Sequence, residues 1–426
     1  MSIFESAGLK LLRLSNPEFA HNVAIKALNL GLVPKPKTSV FENLKTSICG
    51  LELDSPVGLA AGFDKNAEAV DPLLKCGFGF IEVGAVTPKG QPGNPKPRLF
   101  RLPKDQAVIN RFGFNNLGMD IISERLARRS TKGIVGVNLG ANKNSDDRIK
   151  DYVKVLQCCA PFVDFATVNV SSPNTENLRN LQEKNSLNDL LDEVMTSREN
   201  LENKVPVFLK ISPDLTLNQI DDISEIALKM QIDAIVATNT TVDHQGLQSD
   251  VKNKHGGLSG RPLFSKSTWV LANLSARLDK KVPLIGVGGI ASAEDAYVKL
   301  LAGASAVQLY TGLVYNGMGL VTKINKGISE MLSKQHKSNL SDIVGTEREI
   351  SVDDKEKGTF TSPSQSLKVW IKRIFGAKSC NLRFNFLLNS RIPFFAVLSQ
   401  TINNLNDPST NLSKIILIKT TRCSSW

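Results

Sequence analysis

The segment Val168-Asn169-Val170-Ser171-Ser172-Pro173-Asn174-Thr175 places a hydroxyl between two carboxamides, just after an apolar run at 162–170. Carboxamides carry donors and acceptors together, so Asn169 and Asn174 suit the ring carbonyls and N–H groups of a small polar substrate. Ser172 stands between them, where a base would reach a carbon-bound proton, and Pro173 stiffens the turn. Taken alone, the segment reads first as an Asn/Ser/Pro turn closing a strand. Its companions along the chain carry the chemistry further.

Two lysines sit in unusual company. Lys210 interrupts the apolar run Val207-Phe208-Leu209-Lys210-Ile211, and Lys65 ends Ala61-Gly62-Phe63-Asp64-Lys65. A lysine in a buried strand is rare unless paired or functional, and positive charge there suits a reduced, anionic flavin ring. Gly286-Val287-Gly288-Gly289-Ile290 and Gln308-Leu309-Tyr310-Thr311-Gly312 bring backbone N–H groups close to a phosphate, or else form two tight turns. Asn110-Arg111-Phe112-Gly113-Phe114-Asn115-Asn116 adds donors and acceptors on a glycine-containing loop. No His/Cys/Asp grouping has metal-ligand spacing or the makings of a hydrolytic triad, so no metal is expected.

These residues need a scaffold. Eight short apolar segments, at 57–61, 80–85, 134–139, 162–170, 205–211, 234–239, 284–288 and 306–310, have strand character. Most are separated by helical stretches such as 220–230 and 293–302. Continuous apolar strands alternating with helices mean buried parallel strands. Eight of them predict an α/β fold, a (β/α)8 TIM barrel. An open doubly wound sheet is the alternative, but no GxGxxG follows the first strand. Polar residues cluster at the C-terminal ends of these strands, where barrel enzymes carry their sites: Asp64-Lys65, Asn138, Asn169 and Ser172, Lys210, Thr238-Asn239-Thr240, Gly288-Gly289 and Tyr310-Thr311-Gly312.

The chain has 426 residues, 41% hydrophobic and 22% charged, with a net charge of +11. Residues 335–426 hold 13 Lys/Arg against 7 Asp/Glu, so the remainder is only mildly basic. No basic stripe interleaved with aromatics suggests nucleic acid, although a basic tail leaves salt-dependent binding open as a further alternative. The six cysteines are scattered and read as reduced thiols. No signal peptide and no run of about 18 apolar residues is visible.

Residues 1–33 read as two short apolar helices, the second opened by Asn16-Pro17-Glu18. They either pack on the body as an α-hairpin or lie on a membrane surface. In this pattern His21 is a half-exposed helix residue. Residues 340–366 lack periodicity and read as a disordered linker, and 367–426, with apolar patches among basic residues, as an unstructured tail, with adhesion to a membrane as the alternative.

With these motifs in order, the chain resembles the dihydroorotate dehydrogenases, specifically their membrane-associated, quinone-dependent class 2. The resemblance covers about residues 1–334. It also rests on Gln91-Pro92-Gly93-Asn94-Pro95 and Gly256-Gly257-Leu258-Ser259-Gly260-Arg261-Pro262. It implies that Ser172 is the base that takes a proton from C5 of dihydroorotate while hydride passes from C6 to FMN, giving orotate in pyrimidine (UMP) synthesis. Relatives in the soluble classes have cysteine there. Serine is a poor base in water, so its loop must exclude solvent or supply a proton relay.

The resemblance further implies FMN contacts at Ala61, Gly62, Phe63, Asp64, Lys65, Ala85, Asn138, Asn169, Lys210, Thr238, Gly260, Gly289, Tyr310 and Thr311. Substrate contacts fall at Lys65, Asn110, Arg111, Phe112, Gly113, Phe114, Asn169, Asn174, Asn239 and Thr240. His21, Arg101 and Tyr310 match positions lining an apolar tunnel for a membrane quinone, with residues 1–33 as its mouth. The barrel then occupies 34–334. Two departures stand out: Ala85 replaces a threonine or serine of many relatives, and the tail past Lys334 has no counterpart. The implied location is peripheral, on the cytoplasmic side of a bacterial inner membrane, with the mitochondrial inner membrane as alternative. A soluble fumarate- or NAD-dependent enzyme and a non-catalytic flavin-binding barrel are the competing readings.

Overall fold

All eight predicted strands form, and they close on one another. The computed structural model describes residue 8 and residues 12–33, 40–250 and 254–348. The barrel strands are β1 (Val57–Leu59), β2 (Phe80–Val86), β3 (Ile134–Leu139), β4 (Phe165–Asn169), β5 (Val207–Ile211), β6 (Ala234–Ala237), β7 (Leu284–Val287) and β8 (Ala306–Leu309). Each pairs in parallel with its neighbours, and β8 returns to β1. Nearly every residue of the eight strands is buried. That burial explains why they read as continuous apolar runs, since helices cover the outside and side chains fill the inside. The helices include Arg148–Cys159, Lys184–Glu199, Leu217–Lys229, Phe264–Leu278 and Ala293–Leu301.

The alternation of the strands sorts the barrel interior into layers. Phe80, Phe165 and Phe208 belong to one apolar cluster with Ala234, Val236, Ile285 and Ala306. Phe165 stacks on Phe208 with ring centroids 4.7 Å apart, and Phe80 meets Phe165 edge-on at 6.1 Å. Glycine makes room for this floor: a Cβ on Gly136 would lie 2.2 Å from the Phe165 ring. Ile48 and Leu53, from the hairpin of Thr46–Ile48 and Leu51–Leu53, join the same cluster. Truncating Phe165 to alanine would cost about 3–5 kcal/mol at such a packed site. Two residues further along the same strands, the inward face turns polar: Glu82, Thr167, Lys210 and Gln308. The barrel is therefore plugged at one end and chemically furnished at the other.

A three-stranded antiparallel sheet of Leu99–Leu102, Ala107–Asn110 and Gly257–Gly260 stands beside the mouth. The helix Pro17–Asn29 packs near it. Asn16 Oδ1 accepts from the Glu18 and Phe19 amides and Pro17 opens the first turn, as the sequence predicts. Ala20, Ile25 and Leu28 face inward, while Leu14, Phe19, Leu30 and Leu32 are exposed. Most of the first expected helix lies outside the described residues.

The segment read as linker needs correction in its first part. Leu340 and Ile343 are buried, the Gly345 and Glu347 amides donate to the Leu300 and Leu301 carbonyls, and Arg348 pairs with Asp279 at 2.9 Å. The packed body therefore runs at least to Arg348. Isolated apolar residues in a polar stretch carry no period, yet these two are buried where the chain stays packed. Residues 349–426, including the rest of the expected tail, lie outside the described residues.

Candidate active site

The loops after the barrel strands enclose one cavity, with about 1150 Å3 of space counted out to its open mouth. The floor of this cavity is a ladder of side-chain amides. The buried Glu82 carboxylate accepts from Asn138 Nδ2 at 2.6 Å and from Gln308 Nε2 at 2.6 Å. Asn138 Oδ1 in turn accepts from Asn169 Nδ2 at 2.8 Å. Asn169 Oδ1 accepts from the Ser171 amide and hydroxyl and from Asn239 Nδ2. Register explains the alignment, because Thr167 lies beside Asn138 and Asn169 beside Lys210 across adjacent strands.

Lys210 is 4% exposed, and its ammonium has no hydrogen-bond partner among the described residues. Burial pushes its pKa down, opposed by the charge of Glu82. Lys65 also points into the cavity, with its Nζ 4.4 Å from the Phe112 ring centroid. Burial lowers it to about 8, with Glu18 and Asp64 holding it from falling further. Two cations facing one cavity call for an anionic or electron-rich ligand. The buried Gln308 Oε1 likewise has no partner.

Ser172 follows β4 and is 7% exposed; among the described residues its Oγ accepts only from the Asn174 amide, at 3.3 Å. Asn174 Nδ2 donates to Asn110 Oδ1 at 3.1 Å, and the Asn174 carbonyl accepts from Asn94 at 3.0 Å. The Ser172 loop is thereby tied to the sheet beside the mouth. On the opposite wall, Ser259 Oγ meets Thr311 Oγ1 at 2.8 Å. Gly288 and Gly289 adopt φ of +115° and +78°, and a Cβ on Gly289 would lie 2.5 Å from Phe264 Cα. The backbone there comes as close as glycine allows, as a phosphate-binding corner requires.

Most of the expected site residues line this cavity: Ala61, Gly62, Lys65, Ala85, Asn110, Phe112, Gly113, Phe114, Asn138, Asn169, Ser172, Asn174, Lys210, Thr238, Asn239, Thr240, Gly260, Gly289, Tyr310 and Thr311. Five expected residues do not. Asp64 is buried below the loop, where its carboxylate accepts from the Asn66, Glu68 and Ala69 amides and shapes the turn that carries Lys65. Arg111 turns away to the Pro97 carbonyl. Arg101 donates to the Arg13 and Ser15 carbonyls, bracing the N-terminal helices against the sheet. Phe63 and His21 form an aromatic group with Tyr310: His21–Phe63 5.4 Å, Phe63–Tyr310 5.7 Å and His21–Tyr310 6.4 Å between centroids. Burial and nearby Lys65 depress His21 to about 3, so its ring is neutral.

A family model described as dihydroorotate dehydrogenase matches residues 43–332. The chain belongs to the dihydroorotate dehydrogenase family. This family is flavin-dependent, which agrees with the two cations and the glycine corner. Among similar proteins, one from Cereibacter sphaeroides named dihydroorotate dehydrogenase (quinone) is 53% identical over 349 residues, covering 82% of this chain and 99% of its own. A Rhodopseudomonas palustris protein of the same name is 50% identical over 351 residues, 81% of this chain and 96% of its own. The crystal structure of an Eimeria tenella dihydroorotate dehydrogenase in complex with ferulenol superposes with a TM-score of 0.75 at 37% identity. It covers 78% of this chain and 95% of that one.

At the floor of the cavity stand residues to which the sequence assigns no role. Glu82 anchors the amide ladder, and Gln308, part of the motif Gln308–Gly312, donates to it. A glutamate inside the apolar run of β2 was the available signal, of the same kind that exposed Lys210.

Proposed function

We propose that this chain oxidises (S)-dihydroorotate to orotate with FMN and passes the electrons to a membrane quinone, in the synthesis of UMP. The observation that carries this reading is Ser172 facing the same cavity as Lys65, Lys210 and the Asn138–Asn169–Asn239 amides. Bound FMN would accept hydride from the substrate and hand electrons on. The glycines at Gly288 and Gly289 with Thr311 fit its phosphate, and Lys210 and the amide ladder fit its ring. Asn110, Asn174 and Asn239 fit the carbonyl and N–H edge of the substrate, and Lys65 its carboxylate.

Ser172 removes the C5 proton. Its Oγ is buried and its O–H has no acceptor among the described residues, so as Oγ takes the substrate proton its own hydroxyl proton leaves through a water that relays it to solvent. The loop tied through Asn174 shields Oγ from bulk water, and the relay that takes up its proton makes a serine competent for this step.

The quinone reading rests on the aromatic group of His21, Phe63 and Tyr310, which connects the N-terminal helix to the cavity. The exposed Leu14, Phe19, Leu30 and Leu32 supply an apolar surface for peripheral contact with lipid. On this reading the protein sits on the cytoplasmic side of a bacterial inner membrane. Among the described residues no helix is long and apolar enough to cross one.

The test is anaerobic mixing of the purified flavoprotein with dihydroorotate, then with decylubiquinone. The flavin should bleach and recover, and Ser172→Ala should slow bleaching by about 100-fold or more. Bleaching without recovery would move the acceptor to fumarate or NAD. No bleaching would sink the substrate assignment.

A further inference from the structure

Outside the cavity, one guanidinium reaches three of the loops that form it. Arg179 lies on the short 3-10 turn Leu178–Gln182, after the Ser172 loop. Its Nε donates to the Ser171 carbonyl at 3.1 Å, its Nη2 to the Thr240 carbonyl at 2.9 Å, and its Nη1 to Asp214 Oδ2 at 2.9 Å. These acceptors belong to the loops after β4, β6 and β5 respectively. The Ser171 carbonyl is the oxygen of the peptide that joins Ser171 to Ser172. Thr240 lines the cavity and donates its amide to Asn239 Oδ1 at 2.8 Å.

Asp214 is itself held rigidly. Its Oδ1 accepts from Lys266 Nζ at 2.6 Å and from the Thr241 hydroxyl, and its Oδ2 from the Val242 amide at 3.0 Å. Burial would raise this carboxyl, but Lys266 and the other donors outweigh it and hold the group ionised. A second link, from the Ser212 amide to Gln182 Oε1 at 2.9 Å, joins the same turn to the β5 loop. A planar fork with several donors can satisfy three acceptors in one plane-defined geometry, which lysine cannot.

We propose that Arg179, anchored by Asp214, is a positioning residue for proton abstraction. It fixes the Ser171–Ser172 peptide relative to the Thr240 carbonyl, and so sets where Ser172 meets the substrate carbon without touching substrate itself. The proposal rests on the assignment of Ser172 as base. Displacement of a reacting group by about 1 Å costs on the order of 100-fold in rate, so loss of the fork appears in the chemical step.

The experiment is anaerobic stopped-flow reduction of the flavin-loaded protein and its Arg179→Gln and Arg179→Lys variants. Substrates are dihydroorotate unlabelled, deuterated at C5, or deuterated at C6. Orotate affinity is read in parallel from the flavin spectrum, and Tm from unfolding. For Arg179→Gln the limiting rate should fall about 100-fold, with orotate affinity and flavin content unchanged. The C5 isotope effect should rise while the C6 effect falls toward unity. Arg179→Lys should restore Tm but not the C5 isotope effect, and it decides the matter if the glutamine variant does not fold.

Unchanged reduction, a rate loss explained wholly by weaker orotate binding, or equal growth of both isotope effects would each overturn the role of Arg179. Wild-type protein that dihydroorotate does not reduce would bring down the reading of the site together with this inference.

Discussion

Glu18 of the N-terminal helix and Arg98 beside the barrel mouth form a forked ion pair, with Arg98 Nη2 2.7 Å from Glu18 Oε1 and Nε 3.2 Å from both carboxylate oxygens. Arg98 also donates to the Pro92 and Asn94 carbonyls and lies 5.6 Å from the Phe112 ring centroid, whose ring Lys65 approaches as well. Asn94 continues the path to the Asn174 carbonyl on the Ser172 loop. The helix expected to face the membrane and the loop expected to hold substrate thus share one network.

Arg98→Met removes the cation from a nearly buried pair and should destabilise the protein by about 3 kcal/mol in urea titration, whereas Glu18→Gln should cost about 1 kcal/mol because Arg98 keeps its carbonyls. Burial would lift the pKa of Glu18, but the hydrogen bond and charge of Arg98, helped by Lys96, bring it below its usual value. A carboxyl lowered on folding contributes stability above its unfolded pKa and loses it as pH falls through the folded value. The difference between wild type and Glu18→Gln should therefore shrink as the solution is acidified below about pH 4.5. A gap that persists in acid would refute the ion pair as its source.

The ammonium of Lys65 gives a second pH signature, in binding. With its pKa lowered to about 8, chiefly by burial, it is charged below that pH and neutral above it. Affinity for anionic orotate should be flat below pH 8 and weaken by about tenfold per pH unit above it. A spectral titration of the flavin-loaded protein checks this. Lys65→Met should bind weakly without the pH step, and Glu18→Gln should move the step to lower pH, because Glu18 supports the charged form. A wild-type affinity unchanged up to about pH 9.5 would remove Lys65 from carboxylate recognition.

What the sequence could disclose follows from how local each feature is. Barrel strands buried on both faces write themselves as short apolar runs, and Lys210 stood out in β5 because nothing apolar explains it. The Asn16 cap was equally readable, since cap and helix are adjacent. The sheet of 99–102, 107–110 and 257–260 was not, because Asn110 pairs with Gly257 across 147 residues and no local period marks that match. Arg179 was invisible for the same reason: an arginine in a polar loop looks like solvated surface until Ser171, Asp214 and Thr240 converge on it. Residues 340–347 show the converse, a polar stretch in which Leu340 and Ile343 are buried and the Gly345 and Glu347 amides reach carbonyls of Leu300 and Leu301, about 45 residues earlier.

Lys210 separates stability from function. A buried ammonium with no hydrogen-bond partner among the described residues, supported only by the charge of Glu82, costs the flavin-free fold, so Lys210→Met should leave the Tm of flavin-free protein unchanged or raised. Flavin reduction by dihydroorotate should fall by about 100-fold or more, since the charge that favours the reduced ring is gone. Calorimetry of flavin-free protein and stopped-flow reduction of loaded protein measure the two effects. A variant that loses stability but keeps its reduction rate would make Lys210 a structural residue.

Gly289 tests the phosphate corner. Its φ of +78° disfavours any side chain, and a Cβ would meet the Phe264 backbone at 2.5–2.6 Å, so Gly289→Ala must push the β7 loop away from the helix Phe264–Leu278. The cost should be about 2–3 kcal/mol of stability. A more specific consequence concerns ligand choice. If the corner holds a phosphate, wild type should prefer FMN to riboflavin by about 100-fold or more, and Gly289→Ala should narrow that preference while changing riboflavin affinity little. Equilibrium dialysis of flavin-stripped protein against each flavin measures both. Equal losses for FMN and riboflavin would mean that the substitution disturbs the ring pocket, and that the phosphate is held elsewhere.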